Sequence, residues 1–308
     1  MTSLNRTPLA AINFDDGNGK HLRVYYQAPN GDIKEAFYDS SLGGSGWHPR
    51  PENTVGRGKL NTGIAATVWA SGTQIRIYFL GEDDKIVERM YTGGSSGWTN
   101  GGMTGRYQAA PYSRLGAVSF RNGEHIRVYY QDSANKLREA IYRSTQGWTE
   151  GTDKLPVALA GTAIGAGTNP NGNGQLWVYS QASNLKLQEY WYDNTSWSQG
   201  GFSSNKVYPP QAGISAALYS DPVKIRVLSV DQNNRICATA WDGGWSATQE
   251  LAESTITLTD LALISVAGGG QPAAALRLYY QNFGTRIAEL LSQDGNNWSV
   301  SQSNVAGP

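Results

Sequence analysis

Apolar and polar residues alternate in two short segments near the middle of the chain. Residues 126–131 read IRVYYQ, residues 137–142 read LREAIY, and a five-residue polar turn separates them. Such alternation predicts two β-strands, and the short polar turn predicts that they form a hairpin. Arg127 and Glu139 lie twelve residues apart, so a symmetric hairpin would bring their side chains together across the ladder on one face.

The same hairpin pattern recurs six times along the chain. The position of Arg127 recurs at steps of 53, 51, 50, 49 and 51 residues, and the six residues there are Arg23, Arg76, Arg127, Trp177, Arg226 and Arg277. Twelve residues later the chain has Glu35, Glu88, Glu139, Glu189, Ala238 and Glu289. Each copy ends on a Trp, preceded in four copies by a Tyr. A repeat this regular predicts one structural unit used six times.

A small apolar segment precedes each hairpin, at residues 9–12, 64–67, 115–118, 163–166, 214–217 and 261–264. Small side chains suit strands that crowd around a central axis. With the Trp-bearing segment, each repeat has about four strands, which is typical of a propeller blade. We therefore expect an all-β fold: a single six-bladed β-propeller over residues 1–308. The expected blades are 8–55, 63–106, 114–155, 161–206, 213–252 and 260–302.

Composition and charge narrow the classes of partner. The 25 basic and 25 acidic residues cancel, so no net field attracts nucleic acid or an anionic membrane. Cys237 is the only cysteine, which excludes an intramolecular disulfide. No apolar run approaches the roughly 18 residues that span a bilayer. We expect a soluble protein without a signal peptide, either cytoplasmic or exported to the cell surface by a non-classical route.

The repeated side chains have the chemistry of a carbohydrate site. A single Arg–Glu pair on a hairpin is most simply a solvated ion pair, and a repeated Trp is often inter-blade packing. Recurrence of Arg, Glu, Tyr and Trp together in four copies favours a shared ligand. Arg offers a fork of donors, Glu offers only acceptors, and an aromatic ring offers a flat wall for the C–H face of a sugar.

This pattern, repeated over about 300 residues, resembles the fungal fucose-specific lectins of the orange-peel-mushroom type. The resemblance implies L-fucose bound between adjacent blades, with Arg and Glu of one blade on the ring hydroxyls and Tyr and Trp of the next blade as the wall. Carried over residue by residue, it implies four complete sites: Arg23, Glu35, Tyr91 and Trp98; Arg76, Glu88, Tyr142 and Trp148; Arg127, Glu139, Tyr192 and Trp197; and Arg277, Glu289, Tyr38 and Trp47.

Two further clefts depart from the pattern. One has Trp177 in place of Arg, beside Glu189, Trp241 and Trp245. The other keeps Arg226 and Trp298 but has Ala238 and Ser292 in place of Glu and Tyr. Losing a charged hydrogen-bonding partner typically costs about 1.5–3 kcal/mol. We expect both clefts to be weak or altered in specificity.

Two other function classes fit the repeated residues less well than a lectin. A glycosidase usually needs two carboxylates, one of them protonated, whereas each cleft is expected to supply one Glu that Arg keeps ionised. A protein-interaction scaffold stays open as the second alternative. His21 and His125 precede key Arg residues by two positions and are expected to be exposed strand ends.

We expect no metal and no cofactor, fucosylated glycans and glycoproteins as partners, and multivalent adhesion as the function. A homodimer stays open.

Overall fold

Six four-stranded antiparallel sheets make up the fold. The computed structural model describes residues 3–40, 47–95, 97–202, 206–220, 222–266, 275–301 and 305. In every sheet the four strands follow one another in chain order, so each sheet is one simple meander. Apart from the strands, a short 3-10 turn covers Ala70–Gly72. The predicted six-bladed propeller is confirmed.

The first three blades hold twelve strands. Blade one consists of β1 (Leu9–Asp15), β2 (Lys20–Gln27), β3 (Asp32–Asp39) and β4 (His48–Arg57). Blade two consists of β5 (Ala65–Trp69), β6 (Gln74–Leu80), β7 (Ile86–Thr92) and β8 (Thr99–Asn100). Blade three consists of β9 (Gly116–Phe120), β10 (His125–Gln131), β11 (Leu137–Arg143) and β12 (Gly147–Glu150).

The other three blades repeat the arrangement. Blade four consists of β13 (Gly165–Thr168), β14 (Leu176–Gln181), β15 (Leu187–Tyr192) and β16 (Trp197–Gln199). Blade five consists of β17 (Ile214–Tyr219), β18 (Lys224–Val230), β19 (Arg235–Trp241) and β20 (Gln249–Ser254). Blade six consists of β21 (Ala262–Val266), β22 (Ala275–Gln281), β23 (Ile287–Ser292) and β24 (Ser299–Val300).

The first strand of each blade surrounds the central axis. Each of these strands contacts its counterpart in the next blade, and β1 contacts β21 to complete the circle. Together they line a narrow central cavity of about 100 Å³ that includes Ala10, Gly116 and Gly165. A larger side chain at Gly116 would collide with Ile164 of the next blade. The prediction that small residues mark the axis is therefore confirmed.

The hydrophobic core lies between blades. One cluster joins Tyr78 and Leu80 of blade two to Val128 and Trp148 of blade three, and the other clusters bridge neighbouring blades in the same way. A single four-stranded sheet has two faces to cover, and each blade covers them against its neighbours. No described helix has the length and hydrophobicity needed to cross a membrane.

A glutamine at the end of the second strand joins four of the blades to the next one. The side chain of Gln131 donates to the carbonyl of Leu159 at 3.1 Å and accepts from the N–H of Gly161 at 2.9 Å, and its own N–H donates to the Ser113 hydroxyl. Gln27, Gln181 and Gln281 bind the following blade in the same manner.

The same contact closes the ring. Gln281 of the last blade donates to the carbonyl of Leu4 at 3.0 Å and accepts from the N–H of Thr7 at 2.9 Å, just before β1 begins. Asp260 accepts from the N–H of Leu9 at 3.0 Å. Blades one and six each form their sheet from consecutive strands, so closure rests on these contacts and on packing, without exchange of a strand.

Removing the Gln131 side chain should destabilise the fold. Gln131→Ala leaves the buried Gly161 N–H without its acceptor and removes one of the two donors to the Leu159 carbonyl, which should lower the free energy of unfolding by about 1–3 kcal/mol. Urea unfolding followed by tryptophan fluorescence measures this. The exposed Gln249→Ala is the control and should change stability by less than about 0.5 kcal/mol. Equal stability of the two variants would refute the role of the glutamine contact.

Candidate functional site

The repeated Arg and Glu lie on one face of each hairpin but not directly opposite each other. In blade three Glu139 pairs with Tyr129, and Arg127 pairs with Ile141. Arg127 is thus the diagonal neighbour of Glu139, and its Nε lies 3.2 Å from the Glu139 Oε1. Arg127 is therefore displaced by two residues from the position opposite Glu139 that a symmetric hairpin would give it, whereas the expected shared face is correct.

The residue opposite each Glu is a buried tyrosine. The hydroxyl of Tyr129 donates to Glu139 at 3.4 Å, and Tyr25, Tyr78, Tyr179 and Tyr279 donate to their own Glu at 2.8–3.2 Å. Blade five, which has Ala238 instead of Glu, has Leu228 instead of this Tyr. This tyrosine is not among the predicted site residues, although its joint loss with Glu in one repeat of the chain could have revealed it.

The fourth strand leaves room for the carboxylate. Gly101, Gly151 and Gly200 follow the fourth strand in blades two, three and four, and each N–H donates to the backbone carbonyl of the Glu in the same blade. A Cβ at any of these glycines would collide with that Glu side chain. This repeated glycine is a second residue of the site that is absent from the predicted set.

Tryptophan from the following blade completes each cleft. Trp197 of blade four meets Tyr129 of blade three edge to face with ring centroids 5.9 Å apart, and its Nε1 donates to Glu139 at 3.4 Å. The pairs Trp98 and Tyr25, Trp148 and Tyr78, and Trp47 and Tyr279 meet in the same way at 6.2, 6.1 and 5.5 Å. The predicted partners therefore come together across blade boundaries, including the ring-closing one.

We number the clefts by the blade that supplies the Arg position. The first cleft, of about 510 Å³, is lined by all four predicted residues, Arg23, Glu35, Tyr91 and Trp98. The second cleft has the same volume and is lined by Arg76, Glu88, Tyr142 and Trp148. In the third cleft Trp197 stacks at a tilt on Tyr192, 5.5 Å between centroids, and in the sixth Trp47 does so on Tyr38 at 6.1 Å.

An aromatic ring at the end of the first strand supports the guanidinium. Arg127 lies over Phe120 with its central carbon 5.4 Å from the ring centroid, and Arg23, Arg76 and Arg226 lie over Phe14, Trp69 and Tyr219 at 4.8–5.4 Å. Each of these Arg side chains also donates to the carbonyl of the residue before it. These contacts hold the guanidinium beside the cleft.

The four complete clefts differ in how Arg meets its carboxylate. Arg277 donates to Glu289 at 2.7 Å, whereas Arg76 lies 3.9 Å from Glu88. Arg23 instead pairs with Asp39 at 2.6 Å. The Arg277 Nε is buried and has no hydrogen-bond partner among the described residues. The clefts thus share their residue types but not one fixed ion pair.

The two histidines lie at the starts of β2 and β10 as expected, but the prediction that they are exposed is wrong. His21 is buried, and its Nδ1 lies 2.6 Å from Asp39 while its Nε2 lies 3.1 Å from Asp16. His125 is half-buried and stacks on Phe120 with centroids 4.9 Å apart. Both rings pack against the aromatic residue that closes the first strand, a tertiary contact with no local signature in the sequence.

Burial is the largest influence on the pKa of the cleft carboxylates Glu139 and Glu88. It raises the pKa of Glu139 above 4.5, although Arg127, Trp197 and Tyr129 act in the opposite direction. Burial raises the pKa of Glu88 in the same way, although the Met103 N–H and Arg76 lower it. The expectation that Arg keeps the pKa low is wrong for these two residues, because the cost of burying the charge exceeds the stabilisation by Arg.

Two additional carboxylates line the first cleft, Asp16 and Asp39. For Asp39, hydrogen bonds from Arg23 and His21 outweigh burial and lower its pKa, and backbone N–H groups lower that of Asp16. The expectation of one carboxylate per cleft is therefore wrong here. Across the described ranges, no three His, Cys, Asp or Glu side chains converge as a metal-ligand set.

The fourth cleft differs in shape and lining. It measures about 290 Å³ and is lined by Trp177, Glu189, Trp241 and Trp245 together with Trp191. Glu189 keeps its hydrogen bond from Tyr179 at 2.8 Å and accepts the N–H of Phe202 at 3.0 Å. The indole of Trp177 occupies the position that a guanidinium has in the other clefts.

The fifth cleft is occupied by a turn of the chain itself, residues 292–297. Arg226 is 1% exposed, donates from Nε to the carbonyl of Gly295 at 2.7 Å and forms two contacts of 3.0 Å with Asp242. Gly295 has a φ of +80° and lies where a side chain would strike Tyr219, so the turn of residues 292–297 fits into the cleft only with glycine there. The donors of Arg226 are engaged, and Trp298 packs on the adjacent core.

The chain is similar in sequence to known proteins over nearly its whole length. The family model described as fungal fucose-specific lectin matches residues 3–306. A fucose-specific lectin from Aspergillus oryzae is 34% identical over 300 residues, covering 93% of this chain and 90% of that protein. A fucose-specific lectin from Aleuria aurantia is 29% identical over 313 residues, covering 96% and 95%.

Solved structures show the same architecture. The crystal structure of Aleuria aurantia lectin, a six-bladed β-propeller, matches with a TM-score of 0.86 and 27% identity, covering 99% of this chain and 98% of that one. SapL1 lectin in complex with alpha methyl fucoside matches with a TM-score of 0.83 and 30% identity, covering 98% and 97%. On the extent of these matches, the chain belongs to the fungal fucose-specific lectin family.

Proposed function

We propose that the protein is a multivalent lectin that binds the terminal L-fucose of glycans in four of its six inter-blade clefts. The observation that carries the proposal is the recurrence of one arrangement in the first, second, third and sixth clefts. In each of them a buried Glu is oriented by a Tyr hydroxyl, a guanidinium lies on the same face of the hairpin, and a Trp of the next blade forms the wall.

The arrangement suits a neutral sugar with one apolar side. A carboxylate oxygen accepts from one ring hydroxyl while the guanidinium donates to its neighbour, so two adjacent hydroxyls identify the sugar. The Tyr and Trp rings offer apolar surface to the C–H groups and the methyl group of fucose. Tyr129 and Trp197 already bind the Glu139 carboxylate, so it meets the sugar in a fixed orientation.

Membership of a lectin family and the geometry of the clefts both argue against hydrolysis. The second cleft has Glu88 as its only lining carboxylate within the described part of the chain. In the first cleft the additional Asp16 and Asp39 have lowered pKa values and serve as partners of His21 and Arg23, so neither is a proton donor. Glycoside hydrolysis usually requires one protonated and one ionised carboxyl group flanking the bond.

Several clefts around one ring allow simultaneous binding. Each cleft encloses about one sugar, so the affinity of a single cleft should be modest, whereas a glycosylated surface that occupies several clefts gains roughly 10²–10⁴ in avidity. We infer recognition of, or adhesion to, surfaces that carry fucosylated glycans and glycoproteins. Agglutination of fucosylated cells is the expected laboratory sign.

Titration with free L-fucose should give four sites per chain. The fourth cleft lacks Arg, and the turn of residues 292–297 fills the fifth. Isothermal titration calorimetry measures the stoichiometry, with D-galactose as a control sugar of the opposite configuration that lacks the methyl group. Six equivalent sites would contradict the assignment, and no heat with fucose would refute the proposed function itself.

Removal of one guanidinium should abolish one site. Arg127→Ala deprives Glu139 of its partner and the sugar of a donor, so the third cleft should lose about tenfold or more in affinity and the stoichiometry should fall from four to three. Arg138→Ala is the matched control. Arg138 directly precedes Glu139 in β11, so its side chain lies on the opposite face of the strand, where it pairs with Asp153. A stoichiometry of four with Arg127→Ala would show that its guanidinium does not bind sugar.

Fucose affinity should fall on acidification at a pH above the usual range for Glu. Only the ionised carboxylate accepts from two donors, and burial places the pKa of Glu88 and Glu139 above 4.5. The charge is therefore lost at a higher pH than in an exposed Glu, and binding weakens as the pH falls through the raised pKa. Calorimetry across pH measures this; Glu139→Gln should remove the contribution of the third cleft, and the exposed Glu82→Gln should not. A flat profile down to pH 4.5 would contradict the pKa direction.

A further inference from the structure

The fourth cleft, between blades four and five, is an aromatic enclosure. Trp177 and Trp191 are directly paired across β14 and β15, with their rings nearly parallel and 6.4 Å apart. Trp241 and Trp245 of the next blade face the same space with centroids 5.5 Å apart. All four indoles are half-buried, so each has surface open to a ligand.

One carboxylate lies at the base of this enclosure without a cation beside it. Glu189 is 5% exposed, lines the cleft and is held by the hydroxyl of Tyr179 and the N–H of Phe202. Among the described residues no Lys, Arg or His lies within ion-pair distance of Glu189, whereas Glu139 and Glu289 each have an Arg. Trp177 takes the position of that Arg. The Glu189 carboxylate therefore keeps the orientation seen in the other clefts but has no counter-ion there.

Such a cleft favours a ligand that brings its own positive charge. A neutral polyol would find the acceptors of Glu189 but no donor fork, so its hydroxyls would leave water without regaining all of their hydrogen-bond partners. A cation with methyl groups gains in two ways, because the indole faces attract it and the carboxylate neutralises it. The volume of about 290 Å³ is suited to a small head group and not to an extended chain.

We propose that the fourth cleft binds a quaternary ammonium head group, with Glu189 as its counter-ion and the indoles of Trp177, Trp191, Trp241 and Trp245 as its walls. The ligand class is a trimethylammonium group on a small polar carrier, such as choline, phosphocholine or a trimethylated lysine. The inference does not depend on sugar binding in the other clefts. It explains why this cleft has Trp177 where the repeat has Arg.

The test compares choline with its neutral isostere 3,3-dimethylbutan-1-ol, which has the same shape without the charge. Titration of the full chain, followed by tryptophan fluorescence and calorimetry, should show one choline site per chain that excess L-fucose does not displace. The isostere should bind at least about tenfold more weakly, because it loses both the attraction to the indoles and the carboxylate. Phosphocholine and N-trimethyllysine, titrated separately, identify the preferred carrier.

Two variants test the residues. Glu189→Gln keeps the shape of the side chain but removes its charge: the amide oxygen can still accept from the Phe202 N–H, and the amide N–H₂ can donate to the Tyr179 hydroxyl. It should weaken choline binding about tenfold or more. Trp177→Arg installs the counter-ion of the other clefts, so it should abolish choline binding and raise the fucose stoichiometry from four to five. Retention of the four fucose sites in Glu189→Gln reports that the variant is folded.

Three results would overturn the inference. They are the absence of choline binding to the unmodified chain, equal affinity for choline and the isostere, and full choline affinity in Glu189→Gln. Equal binding of the isostere would identify the cleft as a purely apolar site, for example for a methylated sugar. None of these outcomes alters the fucose titration, so failure here is distinct from failure of the proposed lectin function.

Discussion

The hydrogen bond between a buried tyrosine and a buried glutamate is the constraint on which the rest of the site depends. A carboxylate withdrawn from water is costly unless its oxygens have partners. Tyr129 supplies one partner within the hairpin, and Trp197 supplies another from the next blade. Because the same Tyr ring also receives the edge of that Trp, the contact that orients the carboxylate is also part of the packing between blades. Binding geometry and the stability of the ring therefore share their residues.

Much of the fold could be predicted from the sequence because the same pattern of residues recurs six times along the chain. Fixed spacing from Arg to Glu and small residues before each hairpin were sufficient to identify the blades. Pairing across blades came from the family resemblance, and the geometry of Trp98 against Tyr25 agrees with it. Ring closure was not predictable, because it depends on Leu4 and Thr7 occupying the loop position that residues 159 and 161 occupy for Gln131.

The errors also have physical reasons. Even spacing fixes the face of a strand but not the register, so Arg127 was placed opposite Glu139 although Tyr129 occupies that position. Arg23 was expected to pair with Glu35, yet Asp39 at the end of β3 reaches it because His21 holds Asp39 there. The pKa of Glu139 depends on how deeply it is buried by the neighbouring blade, and one hairpin does not contain that information.

Repetition also makes the exceptions informative. Blade four retains Tyr179, Glu189 and Gly200 while Trp177 replaces Arg, so the carboxylate stays oriented in a cleft of different chemistry. In the fifth cleft Glu and Tyr are lost together, and Arg226 has become the anchor of a turn that fills the space. A ring of like units can thus keep a common core while single clefts lose or change their ligand.

A crystal structure with L-fucose tests the central claim most directly. We predict fucose in the first, second, third and sixth clefts, each with its hydroxyls on the Arg and Glu of one blade and its methyl group toward the Tyr and Trp of the next. Fucose bound on the face of a single blade, or in the fifth cleft with Arg226 still engaged by Gly295, would contradict the account.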